Sequence, residues 1–199
     1  MRMKLLLVAL IGSLLWLPAM GTTSWGEGLH KRVLMIIAPS NFRDEELFVT
    51  KRVLESRGVR VFVTALGATE ATGMLGGKVK IDMPFDVAAN RRFAAVLLVG
   101  GSGARVYWNN IRIYNRLRKA YRHGSIIGAI CISPVTLCRA GLLKGRKATV
   151  WGGVSGMLKK CGARYTGKQV EVDGRIVTAN GPWAAKGFAN AVLKLMGYM

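Results

Sequence analysis

The stretch "GAICISPVTL", residues 128–137, carries an apolar run into a segment with helical character. The run "SIIGAICI" (125–132) contains no charged residue, which predicts a β-strand covered on both faces, as in a parallel sheet. The segment that follows, "PVTLCRAGLL" (134–143), predicts a helix. Cys131 therefore lies at a strand-to-helix corner, where a side chain is lifted out of the sheet and a thiol is well placed to act as a nucleophile.

The rest of the chain repeats this alternation of apolar strands and helices. Apolar runs predict further strands at 32–38, 59–66 and 93–101, with helices that end at Gly58 and span about 110–122 and 183–196, and a hairpin at 169–180. This order predicts an α/β fold with a mostly parallel central sheet and helices on both faces. Ligands of such sheets bind beyond the carboxyl ends of the strands. The polar loop after the first strand, the Gly100–Gly101 pair and Cys131 all lie at such ends.

The first residues have the pattern of a targeting segment. A basic start, "MRMK", precedes the apolar stretch "LLLVALIGSLLWL" and the small residues of "PAMG". The stretch is short for a bilayer span, which predicts a cleaved signal peptide over residues 1–21, a linker over 22–30 and a domain over 31–199. We therefore expect the chain to be exported, to the periplasm or outside the cell. The alternative is an uncleaved segment that anchors the domain to the membrane.

Export bears on the three cysteines, Cys131, Cys138 and Cys161, because thiols outside the cytosol tend to pair. An odd number leaves one unpaired. Cys131 and Cys138 flank one helix start, which is poor geometry for a bridge. Two interpretations of Cys138 stay open: a disulfide with Cys161, or a small buried hydrophobic residue.

The formal net charge of +20 predicts attraction to anionic surfaces such as phospholipid head groups or cell-wall polymers. The segment "RIYNRLRKAYRH" places Arg112, Arg116, Lys119 and His123 on one stripe at helical spacing. The alternative interpretation is an ordinary solvated helix face. No nucleic-acid-binding motif accompanies the stripe, so we expect no specific nucleic acid partner.

Activation of Cys131 cannot follow the usual Cys-His scheme, because His30 and His123 are the only histidines. A helix N-terminus and free backbone N–H groups favour a thiolate at the corner. Three consecutive acids, residues 44–46, open the helix after the first strand, and capping explains one or two of them. A protonated carboxyl group from this loop would stabilise the thiolate by a hydrogen bond or shuttle a proton.

The chain resembles the DJ-1/PfpI family, within the class I glutamine-amidotransferase-like superfamily. The resemblance rests on "NFRDEEL", "VLLVGGSGA", "GAICISPVTLCRAGLLKGRKAT" and "VDGRIVTANGPWAAKGFANAVLKL", which together span nearly all of the chain from residue 31. It implies a flavodoxin-like three-layer sandwich, a homo-oligomer such as a dimer, and no metal or cofactor. It also implies a reactive Cys131, contacted by Glu46 rather than Glu45, and an oxyanion pocket formed by the backbone N–H groups of Gly101 and Ile132.

The chain departs from some members of that family at two positions. Ile132 stands where members described as proteases or amidases have histidine, and Trp151 stands where other members have one in the next strand. We therefore expect Gly100 and Trp151 to line a small apolar pocket, and the departures argue against a Cys-dependent peptidase.

Three functions remain in contention. The resemblance implies glyoxalase- or deglycase-like chemistry on small aldehydes. The alternatives are a redox-responsive or chaperone-like protein without turnover, in which Cys131 is oxidised to sulfinic acid, and a basic surface-binding module whose site is vestigial.

Overall fold

A computed structural model describes Gly28 and residues 31–198 of the chain. Its centre is a six-stranded sheet made of β1 (Arg32–Ile36), β3 (Arg60–Thr64), β6 (Ala95–Leu98), β7 (Ile126–Ile130), β10 (Val170–Asp173) and β11 (Ile176–Ala179). The strand order is β10-β11-β7-β6-β1-β3, and every neighbouring pair is parallel except β10 and β11. The predicted α/β fold with a mostly parallel central sheet is confirmed.

In the described part of the chain, six α-helices cover the two faces of this sheet. They are α1 (Asp44–Glu55), α2 (Phe85–Asn90), α3 (Ile111–Arg122), α4 (Pro134–Arg139), α5 (Ser155–Lys160) and α6 (Ala185–Leu195). Two separate hydrophobic clusters lie between the layers, because successive strand residues point to opposite faces. In β1, Leu34 packs in the cluster with α2, α3, α4 and α5, while Val33 and Met35 pack in the cluster with α1 and α6.

The apolar pattern overstated strand lengths and did not show that short strands pair into separate small sheets. The first strand ends at Ile36 rather than residue 38, because the chain turns there toward the loop before α1. Five short strands form two further sheets: β2 (Ser40–Phe42), β4 (Glu70–Gly73), β5 (Lys78–Lys80), β8 (Lys147–Ala148) and β9 (Arg164–Tyr165).

The predicted hairpin is present, with a turn formed by Gly174 and Arg175. Asp173 stays in β10, paired with Ile176. Its carboxylate accepts a hydrogen bond from the Lys147 backbone N–H and pairs with Arg146, which lowers its pKa.

A disulfide joins Cys138, at the end of α4, to Cys161, directly after α5, with 5.9 Å between the Cα atoms. Of the two interpretations of Cys138, the structure has the disulfide. Cys131 is the free cysteine.

The basic stripe expected on α3 is interrupted at Arg116. That side chain is only 4% exposed, since it lies on the inner face of the helix beside Leu117. Its guanidinium donates to the Arg91 carbonyl at 3.2 Å and stacks over the Phe93 ring. Burial lowers its pKa to about 10. The prediction that Arg116 shares a solvated face with Arg112 and Lys119 is therefore wrong.

The expected signal peptide over residues 1–21 lies outside the described residues, and of the linker over 22–30 only Gly28 is described. Within the described part of the chain, no helix combines the length and the apolar character that crossing a bilayer requires.

Candidate functional site

Three adjacent strands, β7, β6 and β1, bring the candidate residues to one edge of the sheet. Cys131 follows β7, Gly100 and Gly101 come shortly after β6, and Glu46 lies in the first turn of α1, beyond β1. Parallel strands end at the same edge, so residues far apart in sequence meet there. The structure thus places Cys131, Glu46 and the glycine pair together.

Cys131 has a strained backbone. Its φ of +63° lies in the left-handed region, which non-glycine residues rarely adopt and which often marks a functional site. Two hydrogen bonds hold this conformation: the Cys131 N–H donates to the Ala179 carbonyl, and the Cys131 carbonyl accepts from the Trp151 N–H, both at 2.9 Å. The sharp corner expected from the sequence is therefore anchored to the strand β11 and to the segment after β8.

The helix after the corner begins at the residue predicted from the sequence but ends at Arg139 rather than at residue 143. Helix α4 starts at Pro134, and the Ser133 hydroxyl donates to the Val99 carbonyl at 2.7 Å instead of capping the helix. The groups that stabilise negative charge on the Cys131 sulfur are the backbone N–H groups of Gly101 and Ile132, which act to lower its pKa. They are the two groups expected to form the oxyanion pocket.

Gly100 lets the two acids approach each other. A Cβ at this position would overlap the Cβ of Cys131 and lie 2.7 Å from Oε2 of Glu46. Gly101 has a φ of +93°, which glycine adopts without strain. The pair therefore provides both close packing and a backbone turn that aims the Gly101 N–H at the sulfur.

The three consecutive acids have three different roles. The Asp44 carboxylate accepts hydrogen bonds from the backbone N–H groups of Leu75 and Gly77, each at 2.8 Å, and so anchors the loop before β5. Glu45 forms a two-point ion pair with Arg43. Glu46 points inward and has no exposed surface.

The Glu46 carboxyl group is only partly satisfied by the protein. Oε2 accepts a hydrogen bond from the Gly100 N–H at 2.9 Å, whereas Oε1 is buried without a hydrogen-bond partner among the described residues. Cys131 is close enough that the two side chains alter each other's pKa. A proton on the Glu46 carboxyl group would give it a hydrogen-bond donor that the nearby Cys131 sulfur can accept.

Burial raises the pKa of both acids. Loss of solvation brings the pKa of Glu46 to about 7, opposed by the Gly100 N–H. Loss of solvation, followed by repulsion from the Glu46 carboxylate, brings the pKa of Cys131 to about 12. This differs from the lowered thiol pKa expected from the sequence. The pair therefore loses one proton near neutral pH and retains the other.

Taken separately, a pKa of about 7 for Glu46 and of about 12 for Cys131 would place the single negative charge on the carboxylate, but the surroundings of the two groups favour the sulfur. Glu46 is sealed from water, while Cys131 is partly exposed and opens into a cavity. The sulfur also faces the N–H groups of Gly101 and Ile132, and desolvation penalises a charge most where water is absent. These contacts favour a thiolate beside a neutral Glu46 carboxylic acid.

A cavity of about 370 Å³ opens over the sulfur. Its apolar wall includes Trp151 and Trp183, whose ring centroids lie 5.4 Å apart, together with Ile132. The full lining is Arg43, Met74, Gly101, Ser102, Arg105, Cys131, Ile132, Trp151, Gly153, Val154, Pro182 and Trp183. Gly100 lies behind this surface, between Cys131 and Glu46, and is not part of the lining.

Sequence reasoning missed Arg43, Arg105 and Trp183. Arg43 lies three residues before Glu46 and Arg105 four after Gly101, so proximity to the motifs was the one available signal.

His123 directly follows α3 at the opposite edge of the sheet, and His30 is outside the described residues. In the described part of the chain, no group of three or more His, Cys, Asp or Glu residues could hold a metal ion.

Comparison with known proteins identifies the family. The model of the DJ-1/PfpI family matches residues 31–195. An uncharacterized protein of Methanocaldococcus jannaschii is 42% identical over 168 residues, which are 83% of this chain and 82% of that protein. The deglycase PfpI of Pyrococcus furiosus is 28% identical over 163 residues, 82% of this chain and 98% of the deglycase. The crystal structure of a ThiJ/PfpI domain protein from Brachyspira murdochii has a TM-score of 0.81 and 32% identity, covering 85% of this chain and 98% of that one.

The raised pKa of Glu46 predicts a specific pH dependence of stability. The folded protein keeps a proton that the unfolded chain releases, so stability falls as pH rises from about 4.5 to about 7. The Glu46→Gln variant has no such proton to release. Between pH 4.5 and about pH 7 we therefore expect the free energy of unfolding of wild type to fall by about 3 kcal/mol relative to this variant, at about 1.4 kcal/mol per pKa unit. Urea denaturation at several pH values measures the difference. The exposed acid variant Glu70→Gln should follow wild type, and parallel profiles for wild type and Glu46→Gln would contradict the assignment.

Proposed function

The chain belongs to the DJ-1/PfpI family, and from this premise we propose that it is an enzyme acting on small reactive aldehydes, with Cys131 as nucleophile. The observation that supports this most directly is the meeting of Cys131, Glu46 and two backbone N–H groups at the base of a small cavity. A nucleophile, a proton donor and oxyanion donors are the parts that addition to a carbonyl needs. The deglycase relative supports the same general chemistry.

The proposed reaction begins when the Cys131 thiolate adds to the aldehyde carbon. A carbon–sulfur bond forms, and the carbonyl electron pair moves onto the oxygen. The N–H groups of Gly101 and Ile132 stabilise that oxygen as it gains negative charge. The carboxylic acid of Glu46 then protonates it and becomes a carboxylate.

The second half of the reaction uses Glu46 as a base. The carboxylate removes the hydrogen of the former aldehyde carbon as a proton, and a proton is returned to the adjacent carbon through an enediol. The first carbon is thereby oxidised to a thioester while its neighbour is reduced to an alcohol, so the two changes balance within the substrate. Water cleaves the thioester and regenerates the thiol. Methylglyoxal would give lactate.

The cavity favours a compact substrate over a peptide. Its volume of about 370 Å³ is near the lower end for small-molecule sites, and Trp151 and Trp183 narrow it. The described residues place no histidine beside Cys131, and His123 lies across the sheet. A peptidase needs a group that first accepts the proton of the nucleophile and then donates it to the amine leaving group. Among the described residues, no histidine is in place beside Cys131 for this role.

Lactate formation tests the proposal. Cys131→Ala should lower the rate of lactate production from methylglyoxal by at least about 100-fold, and Glu46→Gln by a similar order, because both remove a reacting group. Glu70→Gln is the matched control and should retain wild-type activity, with circular dichroism confirming that all variants fold.

Equal rates of lactate production for wild type and Cys131→Ala would rule out the proposed enzymatic function. If no aldehyde is consumed while mild peroxide adds two oxygen atoms to Cys131, measured by intact mass, the redox-responsive alternative replaces it.

We also propose that the chain is exported, with residues 1–21 as a cleaved signal. The Cys138–Cys161 disulfide supports this, because disulfides persist in oxidising compartments. Homodimer formation and attachment to an anionic surface stay predictions.

Expression of the full chain in a Gram-negative host tests export. We expect osmotic shock to release the protein, and its intact mass to match a chain that begins at residue 22. Full-length chain in the membrane fraction would instead support an uncleaved anchor, and full-length chain in the cytosol would overturn export.

A further inference from the structure

The cavity over Cys131 is lined by two arginines and by no acidic residue. Arg43 and Arg105 contribute to its wall, while Glu46 is sealed beneath it. A cavity built only for a neutral aldehyde such as methylglyoxal has no need of cationic walls. The charge of the lining therefore carries information about the substrate beyond the carbonyl chemistry.

Arg43 is fixed close to the sulfur. Its backbone N–H donates to the Gly100 carbonyl at 3.0 Å. Its guanidinium is held by Glu45, with Nη2 donating to Oε1 at 2.9 Å and Nε lying 2.8 Å from Oε2. The hydrogen bond with Glu45 raises the pKa of Arg43, burial opposes this, and attraction to Glu45, Glu46 and Cys131 adds to it. Glu45 compensates most of the positive charge of Arg43, so Arg43 serves mainly to shape the cavity wall and less to attract anions.

Arg105 is the uncompensated cation of the cavity. It lies on the 3-10 helix Ser102–Tyr107 that follows Gly101, and its guanidinium stacks over the Trp108 ring at 4.8 Å from the centroid. None of the ion pairs among the described residues involves Arg105. Stacking on Trp108 orients the guanidinium plane while leaving its N–H donors available.

We propose that Arg105, with Arg43 beside it, forms an anion subsite of the Cys131 cavity, and that the preferred substrates are small oxoaldehydes carrying a carboxylate or a phosphate. This inference rests on the proposed function and specifies its substrate class. The planar guanidinium of Arg105 matches the oxygen spacing of either anionic group. Binding that group at the cavity wall leaves the aldehyde carbon free to reach the sulfur between the Gly101 and Ile132 N–H groups.

The subsite is testable without any turnover, because Cys131 is the one cysteine outside the disulfide. Its alkylation rate is measured with anionic iodoacetate and with neutral iodoacetamide, and the ratio of the two rates reports the local charge. We expect Arg105→Gln to lower this ratio by about twofold to fivefold, the effect of one exposed charge. High salt should lower the wild-type ratio in the same direction, since screening shortens the reach of the charge to about 3 Å at 1 M.

Arg92→Gln is the matched control for alkylation. Arg92 is an exposed arginine that precedes β6, at the edge of the sheet opposite Cys131, so its loss changes the net charge equally. Its ratio should equal that of wild type. Equal ratios for wild type and Arg105→Gln would overturn the subsite, and an equal fall in both variants would assign the effect to overall charge, which overturns it too.

Substrate discrimination gives the second measurement and separates the two proposals. The substrates are methylglyoxal, dioxovalerate, which carries a carboxylate, and hydroxypyruvaldehyde phosphate. Each is converted to its hydroxy acid by the same addition of water. We expect kcat/KM for one or both anionic substrates to exceed that for methylglyoxal. Arg105→Gln should lower that preference by about twofold to fivefold, while Arg92→Gln leaves it unchanged. The anionic substrate whose kcat/KM depends on Arg105 shows whether the subsite prefers a carboxylate or a phosphate.

The two failures look different. Turnover of methylglyoxal that depends on Cys131, without any preference for the anionic substrates, contradicts the subsite and leaves the proposed function intact. No turnover of any aldehyde, combined with an iodoacetate preference that depends on Arg105, contradicts the proposed function and supports the anion site.

Discussion

The contact between the buried Glu46 carboxyl group and the Cys131 thiol governs how the rest of this site is arranged. Two neighbouring acidic groups that are largely buried do not both ionise near neutral pH, because each charge penalises the other and burial penalises both. The protein therefore holds one proton and one negative charge between them. Two features decide where that charge resides: the N–H groups around the sulfur, and the Oε1 atom of Glu46, which has no hydrogen-bond partner among the described residues.

This contact depends on the architecture at several levels. The order of the sheet puts β7, β6 and β1 side by side, so the residues after each strand converge. Gly100 lies between Cys131 and Glu46, and because it has no Cβ the two side chains can approach each other. The left-handed conformation of Cys131 is maintained by hydrogen bonds to Ala179 and Trp151. Loss of any of these supports would separate the sulfur from the carboxyl group.

The scarcity of acidic residues makes each of them informative. With 30 Lys and Arg residues against 10 Asp and Glu, most cations have no carboxylate available. Asp44 is committed to a loop, Asp173 to Arg146 and the β8 backbone, and Glu45 to Arg43. An arginine left without a partner is therefore ordinary on the outer surface of this protein. Beside a nucleophile, in a cavity with no acid in its wall, the same excess becomes a means of selecting substrates by charge.

Backbone-level features of the site could be predicted from the sequence, whereas side-chain directions could not. Continuous apolar runs locate the central strands, and parallel topology then brings Cys131, Gly101 and the acidic turn to one edge. Whether an arginine on a helix faces water depends on the packing of its neighbours, so Arg116 was misplaced. Strand ends and the hairpin turn depend on long-range contacts, such as that between Asp173 and Lys147, which no local pattern contains.

Ultraviolet titration of the thiolate tests the central claim most directly. The difference in absorbance between wild type and Cys131→Ala isolates the single free thiol as pH is raised. A neutral Glu46 beside a charged sulfur predicts that thiolate absorbance is already present below about pH 8.5, the ordinary pKa of a free cysteine thiol. Absorbance that stays absent until pH exceeds the value for free cysteine, about 8.5, would place the charge on Glu46 and contradict the account.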